Sequence, residues 1–253
     1  MASDSENDVE FEPESFQIGP YHLTLTTIAY LPLTLLASNQ AKGVEISGQK
    51  LWCGSLVVIE YILNHPEYVQ SNIIIELGAG TGLLGMISKL LGASGVYLTD
   101  HDIKSIEHMK NDLITNKLND NCEVIQFDWY KVNEFDYTIF NTSPNSESAH
   151  CRLVAGDVLY KALLLTPFFQ VVHRFFTIFS KSHPSNTVSM LLAHIPRNGN
   201  EHIHVIQSAQ SFGLTINEIN ESEWRKGVVS EHAPEDDYTR AKLYMITLDA
   251  VNV

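Results

Sequence analysis

Cysteine is scarce: 3 in 253 residues, Cys53, Cys122 and Cys151, widely spaced and without a C-x-x-C pair. That count and spacing exclude a disulfide framework and a structural zinc site, so reduced thiols and no metal are expected. Positive charge is also in short supply. Lys and Arg total 16 against 30 Asp and Glu, a formal charge of −14, and the basic residues never cluster. No patch is visible to neutralise a phosphate backbone, so direct nucleic-acid binding is not expected. Long apolar runs are missing too: no 18 consecutive uncharged apolar residues occur, and Met1 to Asp8 is acidic where a secretory signal would be basic and then apolar. The expectation is a soluble monomer in the cytoplasm, the nucleus or both, with no membrane partner. An acidic surface suits a basic protein partner by electrostatic steering, and it equally serves solubility alone.

What is present is enough apolar material, 44% of residues, to bury one full α/β core. Met1 to Glu14, with Asp4, Glu6, Asp8, Glu10, Glu12 and Glu14, reads as a disordered acidic leader. Residues 15–253 then form one domain whose first part, 15–50, is an N-terminal cap; Tyr21 to Ser38 is a hairpin or a capping segment. Beyond it, strand and helix patterns alternate, which predicts a doubly wound sheet. Helices are expected over Trp52 to Leu63, Leu83 to Leu91, Met109 to Leu118, Phe168 to Phe176 and Glu201 to Phe212. Core strands are expected over Asn72 to Leu77, Gly95 to Asp100, Glu123 to Phe127, Thr187 to His194, Leu214 to Ile219 and Lys242 to Leu248. For the fourth strand both Asp136 to Phe140 and Leu153 to Ala155 qualify; the second is preferred because it carries Asp157 and Tyr160 to the carboxyl edge of the sheet. The stretch Asn220 to Arg240 contacts substrate or is a solvated loop, the latter preferred.

The chemistry concentrates at Ile73 to Gly85, an apolar strand running through Glu76 into Gly78-x-Gly80-x-Gly82 and a helix. A loop without Cβ atoms at a helix N-terminus lets a ligand lie against backbone amides. The dinucleotide fingerprint needs a further glycine where this chain has Leu83, so a different cofactor is indicated. Asp100 ends the second strand about 20 residues past the loop, where a carboxylate can accept hydrogen bonds from ribose hydroxyls. Asp128 and Trp129 follow the third strand; they can take an adenine amine and wall its ring, or open a turn and fill core.

Four blocks, Gln49 to Ser55, Glu76 to Gly82, Asp128-Trp129 and Asp157-Val158-Leu159-Tyr160, together resemble the family 16 seven-strand methyltransferases, which are class I S-adenosylmethionine-dependent enzymes and mostly protein-lysine methyltransferases. The run Trp52 to Ile62 is similar to one branch of that family. The resemblance implies a Rossmann-like, doubly wound, mostly parallel seven-stranded sheet with an N-terminal extension, S-adenosylmethionine as cofactor with S-adenosylhomocysteine as product, and a protein substrate. It implies cofactor contacts from Trp52, Glu76, Gly78, Ala79, Gly80, Thr81, Gly82, Asp100, Asp128 and Trp129, with Glu76 at the methionine end. Asp157 and Tyr160 would face the acceptor lysine, although Asp157 as a helix N-cap stays open. Lys161 to Leu165 departs from the family, whose members are usually acidic there. A small-molecule or nucleic-acid methyltransferase and a non-catalytic cofactor-binding module remain alternatives; the missing N-P-P-Y after the fourth strand counts against base methylation.

Overall fold

The computed structural model describes residues 9–30, 47–141, 150–182 and 187–249. Its centre is β3 (Ile73–Leu77), five buried residues, which pairs in parallel with β4 (Gly95–Asp100) on one side and β6 (Cys151–Gly156) on the other. β5 (Cys122–Gln126) joins beyond β4, and β7 (Val188–His194) beyond β6. The order is completed by β9 (Lys242–Leu248) and β8 (Leu214–Glu218), giving β5-β4-β3-β6-β7-β9-β8 with β9 antiparallel to both neighbours. The expected doubly wound sheet is therefore present, and Leu153 to Ala155 lies in its fourth strand. Asp136 to Phe140 instead falls in the connection: Tyr137–Asn141 is a 3-10 turn whose Tyr137 and Phe140 pack on Phe175.

Helices cover both faces. On one lie α1 (Cys53–Asn64), α2 (Leu83–Leu90) and α3 (Ile103–Thr115), on the other α4 (Leu165–Ser182) and α5 (His202–Ser211). α4 is long and apolar enough to cross a bilayer by composition. Its Phe168, Phe169, Phe175, Phe176 and Phe179 are instead buried against the sheet.

The leader expectation needs correction. Residues 1–8 lie outside the described residues, but Glu10 to Glu14 belong to β1 (Glu10–Ile18), which pairs with β2 (Tyr21–Tyr30) through a turn at Gly19 and Pro20. Glu12 and Glu14 lie on the same strand face as Phe16 and Ile18 but beyond the core, so they stay exposed while Phe16, Ile18, Leu23 and Leu25 are buried. Pro13 is tolerated because β1 is an edge strand. Thr26 donates to Asp112 through its amide (2.8 Å) and hydroxyl (2.7 Å), and Thr24 exchanges two bonds with Asn116, so the hairpin docks on α3.

α1 crosses the carboxyl end of β6 with no space between backbones. A Cβ at Gly156 would stand 2.3 Å from the Ser55 amide, and one at Gly54 would stand 2.4 Å from the Asp157 amide. Backbone cannot step aside as a side chain can, so Gly156→Ala is expected to cost about 3 kcal/mol, the upper range for overpacking. The melting temperature should then fall by roughly 6–12 °C. Gly95→Ala, whose Cβ would meet nothing nearer than Tyr97 at 4.0 Å, is the control; equal melting of the two variants would disprove the contact's importance.

The connection from 219 to 241 is not a solvated loop. It carries α6 (Glu221–Trp224) and α7 (Glu235–Arg240), and Trp224 is fully buried. Glu60, buried on α1, accepts from the Lys226 and Val228 amides and from the Tyr238 hydroxyl, which ties the segment to α1. That anchorage sets α7 beside the sheet edge where β6 ends.

Candidate functional site

The strand order reverses at β3, so the loops after β3 and β6 separate there and open a crevice at the carboxyl edge. A cavity of about 270 Å³ lies in that crevice, lined by Gly78, Ala79, Gly80, Thr81, Asp100, Asp128, Trp129, Trp52, Asp157 and Tyr160, with Lys50, Tyr130, Lys161 and Leu163 among the other lining residues. Five regions separate in sequence, the glycine loop, the end of β4, the end of β5, the start of α1 and the end of β6, thus contribute to one cleft.

The glycines are there for backbone reasons. Gly78 and Gly80 have φ of +68° and +55°, in the left-handed region. A Cβ on Gly78 would sit 2.9 Å from Val158 Cγ1 and 3.2 Å from the Trp129 ring. Asp100 fixes the loop from the next strand: its Oδ2 accepts from the Gly80 amide at 2.9 Å and its Oδ1 from the Asp102 amide at 3.0 Å. Each oxygen retains a second lone pair, so the carboxylate can still receive vicinal hydroxyls. Asp102 caps α3 by accepting from Ser105 N, which leaves Asp100 free of that task. Asp128 accepts from the Tyr130 amide, and Trp129 packs edge-on to Phe168 at 5.1 Å. Turn former and cleft wall are therefore both correct descriptions of Asp128 and Trp129.

Two expected residues do not line the cleft. Gly82 is the N-cap position of α2, and its Cβ would meet Leu98 and Met109 at 3.1 Å. Glu76 is buried beneath the loop, where its Oε2 accepts from the Gly85 amide at 2.8 Å. It braces the start of α2. Burial pushes its carboxyl up from the ordinary 4.5 to about 8, against the Gly85 hydrogen bond that favours the charged form. Between those values the folded state holds the extra proton, so Glu76 withdraws stability as pH rises from about 4.5 to about 8. Glu76→Gln should therefore gain melting temperature relative to wild type across pH 5 to 8; parallel melting curves would refute a proton on Glu76.

Asp157 is not a helix N-cap, since α4 begins at Leu165. It sits 4% exposed at φ +59°, its amide donating to Ala193 O at 3.0 Å. Its carboxylate is gripped by Arg197, with Nε 3.1 Å from both oxygens and Nη2 2.6 Å from Oδ2. Burial raises the Asp157 carboxyl and Arg197 pulls it back. The same guanidinium reaches Asp237 of α7 at 2.7 Å and stands 5.2 Å from the Trp52 ring centre. Arg197 opens a tight turn with Asn198 and Gly199 at positive φ and a bridge to Asn200. Asn198 Nδ2 donates to Tyr160 O and Asn200 Nδ2 to Leu159 O, so three side chains of one turn hold Asp157 to Tyr160 in place. The Asn198-Gly199 pair was the available sequence signal for this turn; nothing local announced Arg197's partner 40 residues away.

Known proteins resemble this chain in sequence and in fold. A family model described as lysine methyltransferase matches residues 33–201. Protein N-lysine methyltransferase METTL21A of Xenopus tropicalis is 43% identical over 53 residues, 21% of this chain and 24% of that protein. Methyltransferase-like protein 22 of Mus musculus, the branch that Trp52 to Ile62 resembles, is 37% identical over 62 residues, 24% of this chain and 16% of that protein. Both matches span less than a third of the relative's length. A putative RNA methyltransferase from Pyrococcus horikoshii shares the fold at a TM-score of 0.52 and 13% identity, over 87% of this chain and 96% of that one.

Proposed function

Since the chain belongs to the lysine methyltransferase family, we propose that it transfers a methyl group from S-adenosylmethionine to a lysine side chain of a protein. The observation that carries this reading is one cleft with a cofactor end and an acceptor end. At the first, the amides and positive-φ backbone of Gly78 to Thr81 face Asp100 and Trp129. At the second, Asp157, Tyr160 and Trp52 line the cleft together. The residues present suit the cofactor: Gly78 and Gly80 leave room a Cβ would fill, Asp100 suits ribose hydroxyls, and Phe127, Trp129 and Val158 offer apolar walls for adenine.

S-adenosylmethionine supplies an activated methyl on a sulfonium, so little covalent help is asked of the protein. The chain's own groups orient and desolvate. Trp52 and Tyr160 present π faces that suit the aliphatic stem and charged head of a lysine. Lys50 Nζ lies 5.5 Å from the Trp52 ring centre and Lys161 Nζ lies 5.1 Å from that of Tyr160, so both rings already receive ammonium groups. Asp157 orients the amine, which must lose its proton before it can attack, from a reference pKa of about 10.4. Free, buried thiols at Cys53, Cys122 and Cys151 support a reducing compartment, cytoplasm or nucleus, and the formal charge of −14 supports a basic protein partner.

Tritiated S-adenosylmethionine, a cell extract and the purified protein test the proposal together. A labelled protein band that yields methyl-lysine on hydrolysis is expected. Label confined to nucleic acid or small molecules, or no label despite S-adenosylhomocysteine binding, overturns it.

A further inference from the structure

Arg197 is unusual for its place. It is neither at the protein surface in the ordinary sense, at 20% side-chain exposure, nor a simple partner of one acid. It binds Asp157, which is 1% exposed, and Asp237, and Asp237 in turn pairs with Arg240 at 2.8 Å. Two carboxylates and two guanidiniums balance within this quartet, and the Lys50 and Lys161 ammonium groups at Trp52 and Tyr160 add positive charge to the same end of the cleft. Lys50, Tyr160 and Lys161 line the same cleft, His202 is hydrogen-bonded to His194, and the buried groups beside the quartet are Cys53 on α1, whose thiol is pushed up to about 12, and His194 at the end of β7, whose imidazole is pushed down to about 3, both by burial first. Both stay neutral through the working range. Arg225 also acts on Cys53, without changing that state.

The consequence concerns the proton on the acceptor. A lone carboxylate beside a lysine stabilises the ammonium, which is the unreactive form, whereas an ion-paired carboxylate keeps its lone pairs but loses most of that field. We infer that Arg197 is a positioning residue for the acceptor lysine: it holds Asp157 as one half of a neutral pair, so that the carboxylate orients the incoming amine without fixing it as an ammonium. The three hydrogen bonds from one guanidinium occupy the side of Asp157 facing Arg197. The planar fork is what makes this possible, and a point charge would hold the carboxylate less firmly. The inference rests on the protein-lysine reading above and adds the group that sets the acceptor's protonation.

The test measures label transfer to heat-denatured extract proteins between pH 6.5 and 10, with saturating tritiated S-adenosylmethionine, beside melting temperature and S-adenosylhomocysteine calorimetry. Arg197→Gln is expected to move the rising limb of the pH profile upward by about one unit, a loss of about tenfold near pH 7.5, with affinity for S-adenosylhomocysteine within about twofold. Arg197→Lys should bring the limb back toward wild type. Asp157→Asn, which keeps Arg197, should move it the other way. An Arg197→Gln protein that melts early while its limb stays at the wild-type pH is a brace only, and overturns the inference. So does an Arg197→Lys limb no nearer wild type than that of Arg197→Gln. If Arg197→Gln does not fold, Arg197→Lys decides: an upward displacement smaller than about one unit is expected, and a downward one overturns the inference. Wild type that binds S-adenosylhomocysteine but labels no protein removes the underlying reading and the inference with it.

Discussion

Gly80→Arg is expected to abolish cofactor binding. Gly80 has φ +55°, and a Cβ built there would lie 2.9 Å from the carbonyl oxygen of Gly48, which is backbone. A left-handed conformation costs a non-glycine residue about 1–3 kcal/mol before any contact is counted. The arginine must also pass Gly48 and occupy the cleft that Gly80 lines, and its entry disturbs the Gly80 amide that donates to Asp100 at 2.9 Å. Affinity for S-adenosylhomocysteine should fall by at least about a hundredfold, or roughly 3 kcal/mol. Gly92→Ala separates strain from geometry. Gly92 also has positive φ, +96°, but it ends α2 away from the cleft and its Cβ would meet only Gln70 at 3.5 Å. That variant should melt earlier and bind as wild type does; if calorimetry finds Gly80→Arg binding normally, the cleft is not the cofactor site.

The fold was legible wherever burial writes a period into the chain. Ile73-Ile74-Ile75 announces a strand covered on both faces, and the glycines after it announce the loop that a sheet's switch point exposes. The same logic failed at Glu10 to Glu14, where the strand runs past the core, its residues stay exposed or half-buried, and no period is written into the sequence. It failed again over Asn220 to Arg240, whose polar composition hides an anchor that acts through Glu60, more than 160 residues earlier in the chain. Within the site, the loop residues that line the cleft were readable because the need for glycine is local. Glu76 does not line the cleft, because its carboxylate turns to the Gly85 amide, a direction that its position in the motif does not fix. Arg197 was invisible because an ion pair across β6 and the turn after β7 leaves no spacing signal.

The remaining large effect concerns Asp157, and the structure decides which substitution tests it. At φ +59° an alanine would add backbone strain of its own, whereas asparagine tolerates that region and keeps the shape. Asp157→Asn retains an oxygen for the Arg197 guanidinium and removes only charge and one acceptor. Stability should fall by about 1–3 kcal/mol, since Arg197 keeps Asp237 but loses charge-assisted bonds to Asp157. If the carboxylate orients the acceptor amine, label transfer to protein lysine should fall at least tenfold per folded molecule, because misplacing a reacting group by about an ångström costs on the order of a hundredfold. S-adenosylhomocysteine affinity should stay within about threefold, because the residues proposed to hold the cofactor, Gly78 to Thr81, Asp100 and Trp129, do not include Asp157. A purely structural Asp157 gives the opposite pattern, in which the melting temperature drops and turnover of the folded fraction holds. Rate and stability measured on the same preparation therefore tell whether the residue that Arg197 holds so firmly works on the lysine or only on the fold.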